Sequence, residues 1–195
     1  MMLHPATVHF AIVLPVVASV FGVIYLFTKS ESMSKISTRA TLIAAIAMIG
    51  VWYTGSQAGP KIFEFLSAAG KHELLEHKEL GLYLAIAMSV IALLKIIGCK
   101  AQMFKLEALA IVLLLGTTAT TFLQGKHGGE LVYNYGMPFK AYKTETTLKN
   151  AVKSADSVDD DSDKVDIYED AIDTIDSISE DANAIYGNKN SDDAQ

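Results

Sequence analysis

The stretch VHFAIVLPVVASVFGVIYLFT, Val8 to Thr28, contains no Lys, Arg, Asp or Glu in 21 residues. At 1.5 Å of rise per residue it reaches about 30 Å, the depth of a bilayer's hydrocarbon core. A soluble helix of this length needs a charged face, and this one has none. The same reading repeats along the chain. Residues 40–60 and 108–125 are free of charge, and 80–99 carry only Lys95. Four transmembrane helices are predicted, near 8–28, 38–58, 80–99 and 104–123. The expected fold class is all-α: an antiparallel four-transmembrane-helix bundle over 1–140, then an acidic, partly helical C-terminal tail over 141–195.

The formal charge of −6 divides unevenly. Residues 155–195 hold fourteen Asp and Glu against Lys164 and Lys189, a local net of −12, so the rest of the chain is basic. No basic patch of the kind nucleic acid requires is present. The lone Cys99 excludes an internal disulfide. No charged segment precedes the first apolar run, and that run is long for a signal core, so it reads as a retained span.

Four crossings put the N-terminus, the 59–79 loop and the tail on one face, A, and the 29–37 and 100–103 connections on the other, B. Face B carries Lys29, Lys35, Arg39, Lys95, Lys100 and Lys105, while the A-side loop carries Lys61, Lys71 and Lys78, and Lys126, Lys140 and Lys143 follow the last span on face A and narrow the difference. The positive-inside rule then makes B cytoplasmic. The protein is expected in the inner (plasma) membrane, multi-pass, with both termini periplasmic or external. Tyr25 and Phe27 near B, and Trp52, Tyr53 and Phe122 near A, suit interfacial ring anchors. Lys95 and Glu107, close to the B-side ends, are expected to snorkel to the headgroups. Gly116, Thr117, Thr118, Thr120 and Thr121 suit close helix packing.

After span four comes a glycine-rich turn, Gly125-Lys126-His127-Gly128-Gly129. In the tail, Val165, Tyr168, Ile172, Ile175, Ile178, Ala182 and Ile185 recur at spacings of three and four, predicting an amphipathic helix near 164–186. Asp159-x-Asp161-x-Asp163 has the spacing that opens a calcium loop, but Lys164 replaces the required glycine. A solvated acidic helix start is the better reading.

All five histidines, His4, His9, His72, His77 and His127, fall at face A. Imidazole ligates heme iron, zinc and copper. In an up-down bundle spans one and three are diagonal, so His9 and His77 could hold a heme b between them, with His4, His72 and His127 as alternates. The segment His72-Glu73-Leu74-Leu75-Glu76-His77 is not a zinc-protease signature, because its histidines are five apart rather than four. Instead Glu73 pairs by helical spacing with His77, and His72 with Glu76. Each carboxylate could orient a ligating imidazole through its second nitrogen.

Four pieces of the chain resemble a prokaryotic family of uncharacterised four-helix integral membrane proteins. They are His4-Pro5-Ala6-Thr7-Val8-His9-Phe10, Gly55…Gly59, His77-x-x-x-Gly81 and Gly128-Gly129-Glu130-Leu131-Val132-Tyr133. The match covers about residues 3–140. The resemblance implies a four-span membrane domain whose relatives sometimes accompany c-type cytochrome or Rieske-like domains, and hence membrane redox chemistry.

Two readings of function follow. One is a heme b- or metal-binding redox subunit that meets a redox protein or another membrane subunit. The other is a non-catalytic subunit or scaffold, with no cofactor, that docks a partner through its external loop and acidic tail. Neither reading makes the chain an enzyme on its own. Ion or solute transport lacks its usual mark, a charge in the middle of a span. The orientation is directly testable: alkaline phosphatase fused after residue 150 is expected to be active, and an inactive fusion with a fluorescent cytoplasmic reporter would reverse the assignment.

Overall fold

A computed structural model describes residues 3–136 and 140–186, with side chains to 181. Every regular element among them is an α-helix: α1 (Leu3–Thr28), α2 (Glu31–Ala58), α3 (Pro60–Phe63), α4 (Ala68–Ala101), α5 (Phe104–Tyr133), α6 (Ala141–Ala155) and α7 (Asp161–Tyr186). Of these, α1, α2, α4 and α5 are long and apolar enough to cross a membrane. The described chain forms two compact units. One comprises Leu3–Gly59 with Glu73–Gly129, and the other Pro60–His72 with the chain from Glu130 onward.

The first unit is an antiparallel bundle built on alanine. Ala11, Ala18, Ala44, Ala45, Ala85, Ala92 and Ala110 form its core with Met48, Leu84, Met88, Ile91 and Leu114. Such small side chains let helix backbones approach closely, which drives association where lipid and core are equally apolar. The large apolar residues point the other way: Phe10, Val13, Ile46, Leu93 and Val112 are each more than half exposed. An apolar exterior of this extent is a lipid-facing surface. Hydroxyls cross-link the interior, with Ser19 bonded to Thr118 at 3.0 Å and Ser37 donating to the Ala18 carbonyl at 3.0 Å. On α5, Thr118 and Thr121 are buried, whereas Gly116 and Thr120 face outward. Pro15 is buried within α1. Two-residue turns join α1 to α2 and α4 to α5, and each is reversed by a residue of positive φ, Lys29 (50°) and Gln102 (53°).

Two expectations fail here. The segment around Gly125–Gly129 is not a turn, because α5 continues through it to Tyr133. Each glycine costs a helix about 1 kcal/mol relative to alanine. Here α4 offsets that cost: it begins at Ala68, well ahead of its apolar run, and runs alongside. Gln124 Nε2 donates to the His77 carbonyl at 2.7 Å, and the His77 ring lies against Gly128.

Nor do Lys95 and Glu107 snorkel. Their side chains are 0% and 1% exposed, with Lys95 Nζ 3.0 Å from Glu107 Oε2. Ser34 donates to the same oxygen at 2.5 Å, and the Tyr25 hydroxyl donates to Oε1 at 2.9 Å. The Tyr25 ring, expected at the headgroups, is therefore turned inward, with the ammonium 5.4 Å from its centroid. Gly98 makes the arrangement possible: a Cβ there would stand 2.7 Å from Glu107 Cγ.

In the second unit α6 packs on α7, and Ala151, Ala155, Ala171 and Ile178 are buried. Lys140, in a left-handed conformation ahead of α6, is itself buried. Its Nζ lies 3.6 Å from the Phe65 ring centroid and 3.5 Å from Asp181 Oδ2. The acidic run at 159–163 opens α7 as a cap. Asp160 Oδ1 accepts the Ser162 backbone N–H at 2.8 Å, which holds its carboxyl below the usual aspartate value. Lys164 Nζ bonds Asp161 at 3.0 Å.

Removing one member of a buried ion pair strands the other charge and costs about 3–5 kcal/mol. Glu107→Ala and Lys95→Ala should each lower the unfolding midpoint in detergent steeply. The double replacement Lys95→Met with Glu107→Leu should recover most of the loss. Single variants as stable as the parent would show that the pair does not hold the bundle.

Candidate functional site

The end of the bundle opposite Glu107 is polar. It is built from the start of α1, the end of α2, the early turns of α4 and the late turns of α5. His4 Nδ1 donates to the Val51 carbonyl at 3.0 Å and lies 3.4 Å from Thr54 Oγ1. Its ring packs on Gly55, where a Cβ would come within 2.8 Å of Cε1. His77 packs in the same way on Gly128, at 3.2 Å from a notional Cβ. It also lies near the His4 and His127 rings. Gly81, one turn after His77, leaves room for the Gln124 amide and the Trp52 ring. His127 Nδ1 stands 3.6 Å from Glu73 Oε1, with the two side chains 25% and 18% exposed.

What sets this end apart is unmet hydrogen bonding. Trp52 Nε1, Ser56 Oγ, Glu73 Oε1, His77 Nδ1, Gln124 Oε1 and His127 Nδ1 are all buried without a hydrogen-bond partner among the described residues. Each such group costs about 1–3 kcal/mol unless something polar meets it. A single orphan is commonplace, but six at one end of a bundle describe a place that takes water, an ion or a ligand. The donor set is chemically mixed. The indole can only donate, a carboxylate can only accept, and an imidazole nitrogen does one or the other according to tautomer.

A Glu73 oxygen and a His127 nitrogen lie within 4.8 Å of one another, close enough to share an ion, and His77 stands outside that grouping. Their 3.6 Å separation is too long for a hydrogen bond. Two atoms each about 2.1 Å from one tetrahedral ion would stand about 3.4 Å apart, so the spacing suits shared ligation.

The residues singled out from sequence divide into two groups. His4, His77, His127 and Glu73 come together. His9 is on the exposed side of α1, beside Phe10, and His72 and Glu76 are exposed on α4. Glu73 precedes His77 by one turn, yet its oxygen lies toward His127 on α5. Trp52, Ser56 and Gln124 were missed. The available signal was weak: Ser56 and Gln124 are polar residues at the ends of otherwise apolar runs, which reads equally well as an ordinary helix terminus.

The glycine contacts give a test. In Gly55→Ala the added methyl must push the His4 ring off the Val51 carbonyl, a loss of about 1 kcal/mol. Diethyl pyrocarbonate labelling of His4, followed by mass spectrometry, should then be faster than in the parent; unchanged labelling would mean that Gly55 does not seat the ring.

The residues in these contacts, His4, Gly55, His77, Gly81 and Gly128, come from four separate stretches of the chain. No curated protein and no solved structure matches it. A family model described as Predicted membrane protein (DUF2231) matches residues 1–141, which takes in all four stretches and stops short of the acidic tail. The chain belongs to this family of membrane proteins.

Proposed function

We propose that the protein is a plasma-membrane subunit holding one divalent transition-metal ion at the polar end of its bundle, with Glu73 and His127 as ligands and His77 turning in as the third. The observation that carries the reading is the buried Glu73 Oε1 and His127 Nδ1, 3.6 Å apart and without a hydrogen bond, beside a buried His77 Nδ1 that also has none among the described residues. Two imidazoles and a carboxylate suit Zn²⁺, Fe²⁺, Mn²⁺ or Cu²⁺, leaving geometry and supply to choose among them. Gln124 positions the site by holding the His77 backbone, and His4 packs beside it on Gly55. With an iron or copper ion the site would serve electron transfer, the chemistry that the family resemblance implies. An orientation with this end outside the cytoplasm is supported by the Lys and Arg of the short connections at the opposite face.

Purification in mild detergent from metal-replete cells, followed by elemental analysis, should find close to one equivalent of metal per chain. His127→Ala and Glu73→Gln should each reduce retention by roughly tenfold or more while leaving helicity unchanged. A colourless, metal-free preparation would end the proposal. A dithionite-reducible Soret band lost in His77→Ala would reassign the site to heme b.

A further inference from the structure

α7 carries two apolar faces, and among the described residues only one of them is covered. Ala171 and Ile178 are buried, at 7% and 6% exposure, on the helix that packs with α6. Val165, Tyr168 and Ile172 are 54%, 39% and 57% exposed. At about 100° per residue these three fall within an arc of roughly 60°, turned about 100° from Ala171. The uncovered stripe is bordered by Asp161, Glu169, Asp173 and Asp176. Between 161 and 181 the helix holds nine acidic residues against Lys164 alone, a net of −8.

We infer that this face of α7 docks a basic amphipathic helix of a partner polypeptide, one that lays apolar residues on Val165, Tyr168 and Ile172 and sets Lys or Arg against the acidic border. Charge decides the occupant. A second copy of α7 would bring an equal negative charge into contact and be repelled. An anionic lipid surface would repel it as well. A cationic helix gains at both the rim and the stripe, with the rim setting association rate and orientation and the stripe supplying the burial. The three apolar side chains recur at i, i+3 and i+7, the anchor spacing of helix-on-helix recognition. The inference is independent of the metal site.

The test uses the full chain in nanodiscs of zwitterionic lipid and, as probe, a fluorescent synthetic Leu/Lys helix with leucines on one face. The control peptide has the same composition in scrambled order. Empty nanodiscs give the background. The amphipathic peptide should bind roughly tenfold or more tightly than the scrambled one, and Val165→Ser with Ile172→Ser should abolish that preference. Asp173→Asn with Asp176→Asn should flatten the salt dependence. Because all four residues are exposed, helicity should be unchanged. Equal binding of the two peptides, or binding indifferent to the serine variant, would reduce the face to non-specific charge and overturn the inference. So would a dimer dispersed by the same serine variant, or a Tyr168→Trp emission already blue-shifted in peptide-free nanodiscs, which would place the stripe against lipid.

Discussion

One carboxylate organises the membrane domain. Glu107 on α5 accepts hydrogen bonds from Tyr25 on α1, Ser34 on α2 and Lys95 on α4, so every long helix of the bundle reaches it. In hydrocarbon neither charge can be left unpaired, and the bilayer gives no hydrophobic drive to hold helices together. The pair resolves both problems together: its charges cancel, and its hydrogen bonds fix helical register. A register slip on any of the three partners would leave a donor or an acceptor buried and unmet. The alanine-rich core can fill its space only once that register is set.

Spans of sufficient length without charge announce themselves, and the four long helices were legible on that ground alone. Their polar extensions were not. The early turns of α4, from Ala68 through Lys78, read as loop because they carry four charged residues besides two histidines, and the late turns of α5 read as a turn because they carry three glycines. Composition reports what a segment does in isolation, whereas these two segments are helical because they lie against each other. The same reason hid the fate of Lys95 and Glu107. Placed near span ends, each could reach the headgroups alone; only a pairing across two helices, allowed by the missing side chain at Gly98, makes burial the better state.

The polar site shows the opposite balance. Gathering the histidines at one face required only the count of crossings, and His4, His77 and His127 do meet at one end of the bundle. Which neighbours they meet depends on helix rotation, and apolar periodicity is too weak to fix rotation in helices that are apolar all round. His9 shows the difficulty. It is one turn and a half from His4, close in depth, yet it faces outward, while His4 turns in to bond Val51. Glycines at 55 and 128 are the better guide in retrospect, because each marks a spot where a ring rests on bare backbone.

Pro15 gives α1 a further character. It supplies no amide to the helical ladder, so one backbone bond is missing between the end of α1 fastened by Tyr25 and the end bearing His4. Bending resistance is lowest at such a break. The helix is thus clamped at its Tyr25 butt and compliant near its middle, so that the placement of its other arm falls to the His4 contacts with Val51 and Gly55 and not to the ion pair.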